Sequence, residues 1–418
     1  MTADLKTISS NGFIIYYVPY KRVFDAEYNG RALSHLIKTP TPTFAVDYYN
    51  PINSTFDFDS SLIELSDHIF DTIKLLNEEG EPCLAAMFAS HFYEILGRTD
   101  MQFKVNGCHI LNIPFWLSVL RLVKNWQQRN NGFLIHIGTP LYFLAEAYLL
   151  AQNNDLAFIY LIKSIVDDIR LSKLCPGFQY PQKEPAYLTV CLVDNPNNHM
   201  YSFIVKPLRD FLQDAIKKYN TLFGNESYLN KGLVDFELRF LQKSNTKKVS
   251  IEFIKFLFVL ELHQLLRLKN MVSDKRFESS FSQMLLLNRL FSLTLVIDKL
   301  LHSRYSPKGE KRGKDASMWK CILVYANSHG IPPATLERMN LNSGDLEVVL
   351  RMLLQKKKQK KFRILKREII PILISYKIRN TSAHKIHAAA LISSKIDDIL
   401  QSLMEAVFTI AGQIPTSK

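Results

Sequence analysis

The chain has 418 residues, 47% of them hydrophobic and 22% charged, with a net charge of +13 and a pI near 9.3. That length and polarity exclude a chain too short or too polar to bury a core, and leave room for two or three domains. The five cysteines, Cys83, Cys108, Cys175, Cys191 and Cys321, are odd in number and form no CxxC pair. This speaks against a disulfide framework or a zinc site and fits a reducing, cytoplasmic setting.

In chain order, residues 1–60 read as an irregular segment with some strand, notably Phe13–Tyr20 (FIIYYVPY), followed by the proline-punctuated TPTPTFAVDYYNP. The polar N-terminal residues lack the profile of a secretory signal. No run of about 18 uninterrupted apolar residues occurs, so no membrane-spanning helix is expected. From residue 61 the pattern is helical. Leu62, Leu65, Ile69, Ile73 and Leu76 recur at helical spacing. Further helices are predicted over Leu84–Leu96, stopped by Gly97, and over Ile113–Gln127. A helical hairpin follows, Thr139–Ala151 and Leu156–Arg170 around a polar turn. In that hairpin Leu141, Leu144, Ala145 and Tyr148, then Ala157, Leu161 and Ser164, stand at the spacing of a tetratricopeptide repeat, which it resembles. Ile169 stands where the repeat has its terminal proline. An ordinary αα-hairpin reads the same residues equally well, and either way the layer offers a groove for a partner.

The runs Ala186–Val193 and Met200–Val205, separated by Asp-Asn-Pro-Asn-Asn, predict a β-hairpin inserted among the helices. Helices resume at Pro207, with long apolar-periodic stretches at Phe253–Leu268 and Phe281–Leu301 and an exposed loop over Ser303–Ser317. Next come Met318–Ala326, Asp345–Leu354, Lys361–Lys377 interrupted at Pro371, and Ala388–Ala411 ending at Gly412. The expected fold is mainly α. A helical-bundle C-terminal domain (231–418, core about 275–415) follows a helical, repeat-like region (61–230) with a small β-hairpin, and an irregular N-terminal segment (1–60) precedes both.

Charge is concentrated near the C-terminus. Residues 351–387 hold twelve Lys/Arg against one acid, Glu368, a local excess of eleven out of the chain's thirteen. A polyanion is the natural partner of such a surface. The candidate phosphate-binding cations are Lys356, Lys357, Lys358, Lys360, Lys361, Arg363, Lys366, Arg367, Lys377 and Lys385. The run is also readable as a solvated face or a nuclear-localisation signal. Phe362 and Tyr376 are aromatics that could stack on unpaired bases, or pack in the core.

Behind this run stands Arg379-Asn380-Thr381-Ser382-Ala383-His384. Metal-free RNA cleavage needs a base for the 2′-hydroxyl, an acid for the leaving oxygen and a cation on the phosphate. Histidine suits the proton transfers and arginine the phosphate. Five residues along an unbroken helix rotate by roughly 140°, so Arg379 and His384 would not share a face. Either Thr381 or Ser382 caps a new helix, or two subunits bring their motifs together.

RNTSAH, set between helices of a C-terminal helical domain, resembles the signature of the HEPN superfamily over about residues 275–415. The resemblance implies a helical bundle whose two copies form one composite, metal-independent endoribonuclease site in a homodimer acting on single-stranded RNA. Arg379 would hold the phosphate, His384 would move the proton and Asn380 would support them. No cofactor is implied, and the products would carry 2′,3′-cyclic phosphate and 5′-hydroxyl ends. Relatives serve in antiviral and toxin systems. A protein or nucleotide regulator would act through the N-terminal region, although residues 60–175 lack the alternating strand–helix pattern of a nucleotide-sensing domain. The competing reading is a non-catalytic RNA- and protein-binding helical scaffold, with Arg379 paired to a carboxylate. His387 finds no Cys or carboxylate cluster with which to bind zinc. No phosphate loop, dinucleotide fingerprint or GxSxG motif is present. Asp167-Asp168 and Asp397-Asp398, as helix neighbours, should point apart.

Overall fold

The computed structural model describes residues 5–18, 23–37, 49–224, 227–242, 249–272, 280–307, 317–338, 346–358, 368–382 and 394–415. The chain divides into two compact units, Met1–Leu188 and Thr189–Lys418. It is mainly α, with its small β component at the N-terminus.

In the first unit, β1 (Lys6–Ser10), β2 (Phe13–Val18), β3 (Val23–Tyr28) and β4 (Arg31–Ala32) form an antiparallel meander. Alternation along β2 buries Phe13, Ile15 and Tyr17. The Phe13 ring meets Phe88 edge-on at 5.2 Å, which fastens the sheet to a helix. A two-stranded ribbon, β5 (Tyr49–Asn50) and β6 (Thr55–Phe56), is anchored by Phe56 N–H donating to Ser118 Oγ at 2.9 Å.

The helices are α1 (Ser60–Glu78), α2 (Pro82–Val105), α3 (Asn112–Arg129), α4 (Gly138–Leu150) and α5 (Asn154–Leu174). The Asp59 carboxylate caps α1 on Leu62 N–H, and of the predicted stripe Leu65, Ile69, Ile73 and Leu76 are buried while Leu62 is half-buried. α2 does not stop at Gly97. A Cβ there would stand 3.3 Å from the tip of Phe143, so this glycine admits a ring that stacks on Trp116 at 5.0 Å. α4 and α5 form the expected hairpin, with Asn153 capping α5 and Tyr148 stacked on Tyr160 at 5.4 Å.

The predicted β-hairpin over 186–205 is not formed. Pro185–Val190 is a short helix, and Tyr201–Val205 is a wide helical turn running into α6 (Lys206–Phe223). Ala186, Tyr187, Val190, Cys191, Ile204 and Val205 are all buried. A short apolar run buried on every side carries no period that separates helix from strand. α6, expected in the middle region, packs on the last helix of the second unit.

The second unit continues with α7 (Val249–Val272), α8 (Ser280–Tyr305), α9 (Met318–Ser328), α10 (Leu346–Lys358), α11 (Ile369–Ser382) and α12 (Ile396–Gly412). α8 packs against α7, α9, α11 and α12, and α11 also packs on α10 and α12. α12 is buried on every side from Ile399 to Gly412, so it forms the axis of the bundle. Among the described residues no helix is long and apolar enough to cross a membrane.

One charged cluster ties α5 to the segment before α4. The His136 ring, 6% exposed, lies 2.6 Å from Asp167 and 3.7 Å from Asp168. The adjacent aspartates therefore clasp one ring instead of pointing apart. Asp167 also takes Arg170 at 2.8 Å and Ile137 N–H at 2.7 Å. Burial acts to lower the imidazole pKa, but the carboxylates outweigh it and raise it. Burial likewise acts to raise Asp167, but His136 and Arg170 bring it down to about 2. The His136 contribution is complete below the unfolded value of about 6.5 and is lost as pH rises through the raised folded value. The Asp167 contribution is complete above about 4 and is lost as pH falls toward 2. The stability difference between the parent and His136→Gln, from urea unfolding, is therefore expected to peak between about pH 4 and 6.5. A difference independent of pH would contradict the ion pair.

Candidate functional site

α11 has the sequence IIPILISYKIRNTS and is apolar around its circumference. Pro371 does not interrupt it. The proline lies in the first turn, where its missing N–H costs nothing. Residues 369–378 are buried throughout, and the helix leaves the core at Arg379, which is half-buried, and Asn380, which is exposed. The motif's first two residues thus stand where a central helix reaches the surface, and the arginine cation complements the helix C-terminus.

What places Arg379 is a buried carboxylate on α8. Arg379 Nη2 lies 2.9 Å from Asp298 Oδ2, with the arginine side chain 30% exposed and the aspartate 5%. Asp298 also receives His302, one turn along α8. The imidazole Nδ1 is 3.0 Å from the carboxylate and 2.8 Å from the Asp298 backbone carbonyl. The aspartate carboxylate thus stands between the Arg379 guanidinium and the His302 imidazole. Asn380 is hydrogen-bonded to the Tyr376 hydroxyl, one turn back. Burial raises the Tyr376 pKa, with Asn380 and Arg379 opposing it. The Tyr376 ring packs on Trp319 at 5.1 Å, so it is a core ring and not a stacking platform for bases.

The structure brings Arg379 and Asn380 together but does not extend to the whole motif. Thr381 and Ser382 continue α11, while His384, Lys385 and His387 lie outside the described residues. So do Lys360, Lys361, Phe362, Arg363, Lys366 and Arg367, and the side chains of Lys356 and Lys358. Two of the predicted phosphate-binding lysines are described, and both turn inward. Lys377 is 5% exposed. Lys357 reaches from α10 to α12, where its Nζ lies 2.8 Å from Glu405 Oε2 and donates to Ser402 Oγ at 2.9 Å. Glu405 is 2% exposed, and burial raises its pKa against the opposing pull of Lys357. Lys357 is a strut of the bundle, because a lysine carries its charge on a long stem that threads between helices to a buried acid.

Asp298, His302 and Glu405 were not singled out by sequence reasoning. Asp298 does carry a signal, an acid within the apolar run Val296, Ile297, Leu300, Leu301, with a histidine four positions on. A buried acid of this kind demands a cationic partner. Among the described residues no group of three or more His, Cys, Asp or Glu side chains is disposed to hold a metal ion. No family model, curated protein or solved structure matches the chain.

Removing one member of a buried ion pair leaves the other uncompensated, at a cost of about 3–5 kcal/mol when both are enclosed. Lys357→Met is expected to lower unfolding stability by about 3 kcal/mol through the stranded Glu405. Asp298→Asn should cost less, about 2 kcal/mol, because solvent reaches Arg379. Urea unfolding of each variant measures both losses, and the order should be Lys357→Met below Asp298→Asn below the parent.

Proposed function

We propose that the chain is a metal-independent endoribonuclease that cleaves single-stranded RNA, acting as a homodimer in which the RNTSAH motifs of two copies make one composite site. The observation that carries this reading is the presentation of Arg379. A guanidinium held on a buried carboxylate at the point where α11 leaves the core is fixed in direction and reached by solvent. That is what a phosphate clamp requires before substrate arrives. Asn380 beside it is exposed and tethered to Tyr376, suited to donate a neutral hydrogen bond to a phosphate or ribose oxygen. His384 supplies the proton transfer. The scattered, unpaired cysteines support a cytoplasmic setting, and the HEPN resemblance supports a defence or toxin role.

The second reading, a non-catalytic RNA- and protein-binding scaffold, draws on the same ion pair. Arg379 joined to Asp298 links α11 to α8 whether or not RNA is cut, and Lys357 and Lys377 belong to the core.

Cleavage of a mixed-sequence single-stranded RNA by the purified chain in EDTA separates the two. The parent is expected to leave cyclic phosphate ends. His384→Ala should lose roughly 10²–10⁴-fold in rate while keeping RNA affinity. Arg379→Ala should lose both rate and some affinity, with folding checked by circular dichroism. RNA bound but uncut by the parent would favour the scaffold.

A further inference from the structure

The first unit has its own charge pattern, opposite to that of the chain. Residues 1–188 hold fifteen Lys/Arg against nineteen Asp/Glu, a net charge of −4. Yet one groove in this acidic unit collects four cations. It is an open cleft of about 1070 Å³ lined by α3, α4 and α5. Arg121 and Lys124 stand on the α3 side, Lys163 and Arg170 on the α5 side. The acid in the lining, Asp167, is already engaged by His136 and Arg170. Arg121, Lys124 and Lys163 form no ion pair with a carboxylate among the described residues. The lining also carries apolar side chains, among them Leu117, Leu120 and Val166, the last 56% exposed, together with the amides of Asn125, Gln127 and Gln128.

We propose that this groove docks an acidic amphipathic helix of a partner protein, apolar face against the apolar lining and carboxylates against the cations. Charge complementarity argues for an anionic occupant, since three cations without a carboxylate partner, gathered in a net-negative unit, are not a by-product of overall charge. The lining decides which anion. Nucleic acid without sequence preference is held by stacking on aromatic faces. The lining ring here, Tyr160, has its faces taken, by Tyr148 stacked at 5.4 Å and by the Lys163 ammonium 4.7 Å over the ring. Aliphatic side chains beside cations instead match a helix read at its i, i+3, i+4 and i+7 positions. This proposal is independent of the ribonuclease reading and uses no residue of the second unit.

The test uses the full chain and a fluorescein-labelled peptide of about 20 residues, with leucines on one helical face and glutamates on the other. Controls are a scramble of the same composition, a lysine-for-glutamate version and an oligouridylate of equal charge. Anisotropy should report binding of the amphipathic acid peptide and at least about tenfold weaker binding of the scramble. Combining Arg121→Glu, Lys124→Glu and Lys163→Glu, three exposed changes, should weaken the acid peptide about tenfold or more while circular dichroism is unchanged. Those changes should leave the affinity for oligouridylate as in the parent. Equal binding of the scramble, or an affinity unaffected by the three reversals, would overturn the proposal. So would oligouridylate that displaces the peptide from the parent and loses affinity with the reversals, which would assign the groove to RNA.

Discussion

Taking a carboxylate almost wholly out of water is costly unless a cation lies beside it, and Asp298 on α8 is such a group. Its demand is met by Arg379. That pairing favours one placement of α11 along α8, because sliding α11 would carry the guanidinium away from the acid. With Arg379 fixed, Tyr376 falls one turn inward against Trp319, and Asn380 falls at the surface. The geometry of the candidate site is thus a consequence of one ion pair between helices.

Lys357 and Glu405 repeat the device between α10 and α12. Such pairs rarely add much net stability, since desolvation consumes most of the Coulombic gain, but they penalise every register in which a partner is missing. α11 and α12 are apolar on nearly every side, so hydrophobic burial alone would tolerate many rotations and slides of these helices. Buried charge removes that degeneracy. The dense basic segment therefore does two jobs. Part of it holds the bundle in register from within, and the remainder gives the segment its excess of charge.

The long elements were legible because their signals are local. The α1 stripe, the α4–α5 hairpin with its polar turn and the apolar runs of α8 and α12 each sit within a single window of sequence. Failures arose where the deciding partner is remote or the period is too short to read. Gly97 looked like a stop, but its meaning lies in Phe143, on another helix. Pro371 looked like a break because the start of α11 was placed too early. The N-terminal meander could have been read more fully. Asn11-Gly12 and Asn29-Gly30 both adopt positive φ at the β1–β2 and β3–β4 turns, the tight-turn pairing that a two-residue β-hairpin favours. At the site, Arg379 and Asn380 were visible as a motif, whereas Asp298 and His302 gain their role from packing between helices far apart in the chain.

Net charge shows the same division between local and global information. A total of +13 suggests a uniformly basic protein, yet the first unit carries −4, so the remaining residues carry +17. Averaging hides both the anionic character of the first unit and the cationic groove within it. It also counts Lys357 and Lys377 as surface charge, although the bundle has absorbed both. A charge that is buried and paired sets register and is silent to partners, because its field is cancelled at contact distance. A charge left outside a pair, as at Arg121, Lys124 and Lys163, has no such internal compensation and acts on whatever approaches. The count of lysines and arginines in the sequence is therefore only an upper bound on those that can meet a polyanion: an enclosed pair such as Lys357 with Glu405 is withdrawn, whereas Arg379, held on Asp298 from one side, keeps another side open to solvent.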